Sequence, residues 1–229
     1  MKGLLTIWLF VALSLSFASC KVSSKGKSGK NITIKDGSNL TSVDRVITEE
    51  LLTSMLRARI IDATKYSISN GFSSDYCFLV DLGIASGKNR FFVYDMKKDA
   101  VIFSGLVAHG SCNTHYLDNA RFSNKPNSGC TSIGKYKVGA AYKGEFGKSY
   151  RLYGLDSTNS NAYKRDIVLH SFGPIPDQEI YPKLLNNSFG CPMVSRSFLE
   201  RVSLIIDQSE KPILLWIFQS NPTGSTAAN

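Results

Sequence analysis

Apolar positions early in the chain recur with the period of a helix. Over residues 46–66, Ile47, Leu51 and Met55 fall on one line and Leu52, Leu56 and Ile60 on the next, the i, i+4 spacing that brings side chains to one face. Thr48 followed by Glu49 and Glu50 is a helix start, where a hydroxyl and negative charge answer the unpaired N–H groups and the dipole. Gly71 and Ser73-Ser74 break the pattern. This helix is expected to pack on the domain that follows rather than carry chemistry.

Beyond it the period changes. Residues 76–82, 90–95 and 100–108 are β-branched and aromatic runs, and Met96-Lys97-Lys98-Asp99 reads as a hairpin turn. Further strands are expected over 134–142, 150–155, 166–170 and 212–218. A helix over 197–207 opens on Ser197-Phe198-Leu199-Glu200, a capping-box pattern. Many short strands and few helices predict a mainly β fold, a sandwich or partly open barrel, with the N-terminal helix packed on it. There is no internal repeat.

Composition narrows the partners. A chain of 229 residues with 43% hydrophobic and 20% charged residues can bury a full core. Part of its formal charge of +9 lies in Lys21, Lys25, Lys27, Lys30 and Lys35, ahead of any core. No interleaved basic and aromatic pattern supports a nucleic-acid partner; an anionic envelope polymer or lipid surface fits better. Lys2, the apolar run over 4–15 and the small residues before Cys20 read as an export leader over 1–19, too short for a comfortable membrane span. Ser16-Phe17-Ala18-Ser19-Cys20 resembles a bacterial lipobox, which would make Cys20 the lipid-modified first residue; ordinary cleavage near Ala18 is the alternative. Either way export to the bacterial envelope is expected, with a flexible basic linker over 20–43, a globular domain over 44–218 and a disordered polar tail over 219–229. The oligomeric state is not legible.

The candidate chemistry lies between residues 167 and 196. Ile167-Val168-Leu169 ends on His170, and Ser188-Phe189-Gly190-Cys191 follows. A thiol attacks as thiolate, and an imidazole beside it lets that form near neutral pH. Gly190 has no Cβ, so the backbone can turn sharply and aim N–H groups at an oxyanion. The bland alternative is a core Cys and a core-edge His that never meet.

His170, Ser188, Gly190 and Cys191 resemble, residue by residue, the signature of the L,D-transpeptidases of the cell wall, the YkuD-type domain. Pro192 after the Cys places the resemblance with the murein L,D-transpeptidase catalytic domain branch. It extends through Val80-Asp81-Leu82, residues 90–95, Val107-Ala108-His109-Gly110 and residues 150–155, about 46–218 in all. Met193 departs from the Arg or Asn many members carry two places after the Cys. The resemblance implies a YkuD-like fold and a cysteine acyl-enzyme acting on tetrapeptide stems of peptidoglycan to form L,D cross-links. Cys191 would be the nucleophile, His170 its base, Ser188 the group orienting the imidazole, and the N–H groups of Gly190 and Cys191 the oxyanion hole. It also implies that His109 and Gly110 lie near the site; His109 either orients substrate or closes a hydrogen bond in the core. No metal or organic cofactor is required, because the thiolate carries the chemistry. Water in place of the acceptor amine would make an L,D-carboxypeptidase, and loss of the chemistry would leave a wall-binding lipoprotein.

Of the remaining cysteines, Cys112 and Cys130 flank a polar loop that a disulfide would pin, and Cys77 opens an apolar strand as an inert thiol. A rival reading joins His109, Cys112, His115 and Cys130 in a zinc shell, although no Cys-x-x-Cys pair accompanies them.

Overall fold

A computed structural model gives the fold and describes residues 42–220. The export leader, Cys20 and nearly all of the linker lie outside the described residues, as does the tail beyond 220. Helix α1 runs Ser42–Ser69 and stops where the chain turns at Gly71, whose φ of 73° suits a residue without Cβ. The strands are β1 (Tyr76–Asp81), β2 (Phe91–Asp95), β3 (Ala100–Gly105), β4 (Gly134–Gly144), β5 (Gly147–Gly154), β6 (Val168–Ser171), β7 (Met193–Val194) and β8 (Leu214–Phe218). Helix α2 spans Arg196–Gln208.

All eight strands form one mixed sheet in the order β3-β2-β1-β8-β4-β5-β6-β7. Only β1–β8 and β6–β7 pair in parallel. The expected mainly β fold with few helices is what forms: an open sheet, not closed on itself, with a helix packed on each side of its centre. Strand β1 shows why. Its side chains alternate between faces, yet Cys77, Phe78, Leu79 and Val80 are all buried. Cys77 and Leu79 share a cluster with Leu56, Ile60 and Ala63 of α1, while Phe78 and Val80 join Phe198, Leu199 and Val202 of α2. A strand covered on both faces reads as a continuous apolar run, and each such side chain removed from water contributes about 1.5–3 kcal/mol. The Arg59 guanidinium lies 5.0 Å from the Trp216 ring centroid and 5.1 Å from that of Phe218, tying α1 to β8.

Most element boundaries shift by a few residues from expectation, and two of the shifts have a clear local cause. The cap of α2 is Ser195, whose hydroxyl accepts from Phe198 N–H at 3.2 Å, not Ser197. Strand β3 stops at Gly105 because residues 106–110 leave the ladder: Ala108 N–H donates to the Met193 carbonyl instead.

Candidate active site

The far edge of the sheet holds the candidate residues. Strand β6 pairs with β7 so that His170 faces Met193 and Ser171 faces Val194. Cys191, two residues before Met193, therefore falls beside Val168, and Val168 N–H donates to its Sγ at 3.4 Å. The thiol donates to the Asp166 carbonyl at 3.6 Å. Thiol and imidazole thus share one strand edge, offset by two residues, roughly 6–7 Å along the strands. The thiol is hydrogen-bonded to that backbone and not to the imidazole.

His170 is buried, and Phe146, at the turn between β4 and β5, stacks on its ring with centroids 4.8 Å apart. Its Nδ1 lies 3.0 Å from the Ser171 carbonyl. A carbonyl only accepts, so Nδ1 carries the proton and Nε2 keeps its lone pair, the form a general base needs. Burial holds this imidazole below its ordinary pKa, against the opposing pull of the Ser171 carbonyl and the Glu145 charge. Burial likewise pushes the Cys191 thiol up, while Val168 N–H and the Arg165 charge pull it down and the Asp166 charge adds to the rise. Both groups are therefore neutral at rest.

Ser188 does not orient the imidazole as expected. Its carbonyl accepts from Ser111 N–H and its own N–H donates to the His109 carbonyl, both at 2.8 Å. Its hydroxyl accepts from Gly190 N–H at 3.0 Å. The orienting group is the carbonyl of Ser171, a backbone atom with no side-chain signal. Gly190 N–H, expected to serve an oxyanion, is taken by Ser188 Oγ, so the Cys191 N–H is the remaining candidate of the pair. Gly190 itself has φ 118°, and a Cβ there would lie 2.8 Å from the Cys130 carbonyl oxygen. The Gly190 carbonyl accepts from Thr131 Oγ1 at 3.1 Å.

His109 and Gly110 sit next to this turn but are used structurally. Arg90, always a donor, gives a hydrogen bond to His109 Nδ1 at 2.9 Å. Nε2 therefore carries the hydrogen and donates to the Leu117 carbonyl at 3.1 Å. With both nitrogens engaged and the residue 1% exposed, His109 closes hydrogen bonds in the core. Burial and the Arg90 charge lower its pKa to about 4. Gly110 is packed against backbone, a Cβ there falling 2.3 Å from the Gly129 carbonyl oxygen. Cys112 and Cys130 are joined in a disulfide. They therefore do not form a zinc shell, and among the described residues no group of three His, Cys, Asp or Glu is placed to hold a metal. Cys77 is buried, and burial raises its thiol to about 12.

Two residues were missed in sequence. Arg165 lies in a 3-10 turn, Tyr163–Arg165, just before β6, and its partners sit 33 to 42 positions earlier, a separation no local pattern shows. Phe146 is an aromatic at a hairpin tip, which sequence marks only as a turn. Phe189, beside the thiol, is 85% exposed.

An open mixed sheet with a thiol and an imidazole on one strand edge is a candidate thiol-dependent site. The family model described as L,D-transpeptidase catalytic domain matches residues 47–216, and the chain belongs to that family. Similar solved structures include the helical cell shape determining protein Pgp2 from Campylobacter jejuni, 12% identical with a TM-score of 0.42, covering 65% of this chain and 49% of that one. The Ldtfm–avibactam carbamoyl enzyme is 17% identical with a TM-score of 0.39, covering 64% and 50%. The L,D-transpeptidase from Xylanimonas cellulosilytica is 12% identical with a TM-score of 0.36, covering 64% and 61%. The chain spans about half the length of the first two. A comparison with curated proteins finds none that matches this sequence.

Proposed function

We propose that the protein is a peptidoglycan L,D-transpeptidase that works through a Cys191 acyl-enzyme. The observation that carries this reading is the His170 tautomer: Nδ1–H tied to the Ser171 carbonyl leaves Nε2 as base on the edge that carries the thiol. His170 Nε2 takes the thiol proton as Sγ attacks the carbonyl of the L-centre of diaminopimelate in a tetrapeptide stem. Starting from a neutral pair, the proton moves with the attack rather than before it. Cys191 N–H meets the developing oxyanion, joined by Gly190 N–H if Ser188 Oγ releases it. The tetrahedral adduct collapses, and the D-Ala amine leaves with the proton held on the imidazolium. An amine of a neighbouring stem then attacks the thioester, gives a proton to His170, and forms the L,D cross-link as the thiol is restored. The leader and Cys20 fit an exported, lipid-anchored protein of the bacterial envelope.

The test is to incubate the purified protein with a disaccharide-tetrapeptide and identify products by mass. A cross-linked dimer with release of D-Ala is expected, and Cys191→Ala should form none while keeping its circular dichroism spectrum. A trimmed tripeptide as sole product would assign hydrolysis instead, and undiminished dimer from the variant would remove Cys191 from the reaction.

A further inference from the structure

Among the described residues, Arg165 is the cation whose charge bears on the candidate nucleophile. It directly precedes Asp166, whose carbonyl accepts from the Cys191 thiol, and its Nη2 lies 3.3 Å from where a Cβ on Gly190 would stand. Its guanidinium donates to the Ser123 carbonyl at 2.8 Å, to Ser132 Oγ and Ser128 Oγ at 3.3 Å, and to the Cys130 carbonyl. All four acceptors are neutral. Among the described residues no carboxylate makes an ion pair with it; the adjacent Asp166 carboxylate pairs with Arg151 at 3.3 Å. Neutral acceptors fix a cation in place and leave its charge uncancelled. A half-buried charge in that condition favours an anion beside it. Three of the four acceptors, at Ser123, Ser128 and Cys130, belong to the loop that the Cys112–Cys130 disulfide closes, so the charge is held by a covalently pinned frame.

The other groups facing the sulfur do not duplicate this charge. On the same turn Asp166 opposes it. From β6 comes His170, whose neutral form burial favours. From β4 comes Tyr136, buried under the site, whose hydroxyl donates to the Ser132 carbonyl at 2.6 Å and whose phenol burial keeps protonated, its pKa raised to about 12. At Met193, where a cation is absent from the chain after the Cys, the side chain carries no charge. We propose that Arg165 is a positioning residue of this site, an uncancelled guanidinium moored by the disulfide-closed loop that stabilises the Cys191 sulfur as an anion when it attacks. The inference rests on Cys191 being the reacting thiol.

The test reads the sulfur directly. The full chain is alkylated with iodoacetamide across a pH series, and modification at the Cys191 peptide is followed by mass, for wild type, Arg165→Gln and Arg165→Lys. In Arg165→Gln the midpoint of the rate–pH profile should move up, slowing alkylation at neutral pH about tenfold or more, with the limiting rate at high pH retained. Arg165→Lys keeps the charge and should stay within a few-fold of wild type. A purely structural role would lower the melting temperature and leave the midpoint in place, so a folded Arg165→Gln with the wild-type midpoint overturns the proposal. Should that variant fail to fold, Arg165→Lys decides alone: a midpoint displaced to that of a free thiol despite the retained charge overturns it. The readout needs no peptidoglycan. An unmoved midpoint in a protein that still cross-links stems removes this role only, and a moved midpoint without turnover removes the proposed reaction only.

Discussion

The buried histidine away from the thiol makes the most quantitative prediction. His109 accepts from Arg90 and donates to the Leu117 carbonyl, a pattern only the neutral ring can make, since an imidazolium has no lone pair to accept with. Its pKa falls from 6.5 to about 4 on folding. As pH drops below 6.5 the unfolded chain takes up this proton while the folded protein does not, so stability is complete above that value. It is lost progressively down to about pH 4, where the loss levels off at about 3 kcal/mol. At about pH 5 the share lost is about 2 kcal/mol. Side-chain carboxylates are still mostly ionised there, so His109, together with His170, whose pKa burial also lowers, dominates the slope. Urea unfolding followed by Trp216 fluorescence between about pH 8 and pH 5 would measure it, in wild type and in His109→Gln, which cannot titrate. The variant should be less stable at the upper end and lose about 2 kcal/mol less across the window. Parallel pH curves for the two proteins would refute a neutral, network-bound His109.

Three further outcomes follow from the geometry around the thiol. Gly190→Ala forces a positive φ on a residue with a Cβ and drives that atom at the Cys130 carbonyl, so turnover in the stem assay should fall about 100-fold or more. Phe146→Ala uncovers the His170 ring, so its pKa should rise toward the ordinary value, visible in an imidazole proton NMR titration and as an acid limb of the rate profile displaced to higher pH. Replacing both Cys112 and Cys130 by Ser opens a loop with a sequence separation of 18 and should cost about 3 kcal/mol in urea unfolding.

What the sequence revealed, and what it hid, follows from the range of the interactions involved. Helix α1 and strands β1, β2 and β8 announce themselves because burial on a helix face or on both sides of a sheet writes an apolar pattern into consecutive residues. Strand β7 does not: Met193 and Val194 become a strand only through pairing with β6 and with Ala108. Strand order is equally silent, because nothing local places Cys77 against Leu214. At the site, spacing and residue types alone left open whether His170 and Cys191 meet; the resemblance to the transpeptidase signature singled them out, and the fold sets them on one strand edge. The group that fixes the imidazole was not legible, since a carbonyl looks the same at every residue, and Arg165 acquires its place only from a loop brought in through the tertiary structure. His109 was ambiguous between substrate and core until both nitrogens had partners.

The arrangement of the sheet also governs how it can be assembled. Its central strand, β8, is the last of the described strands in chain order, lying between β1, which it meets in parallel, and β4, which it meets in antiparallel. Until β8 docks, the strands on either side can form only as two separate leaves with raw edges where they should meet. The two halves of the sheet therefore meet only through residues 214–218. Folding dominated by so distant a pairing is slow, and the waiting half-sheets are the species on which a chaperone, or an aggregate, would act.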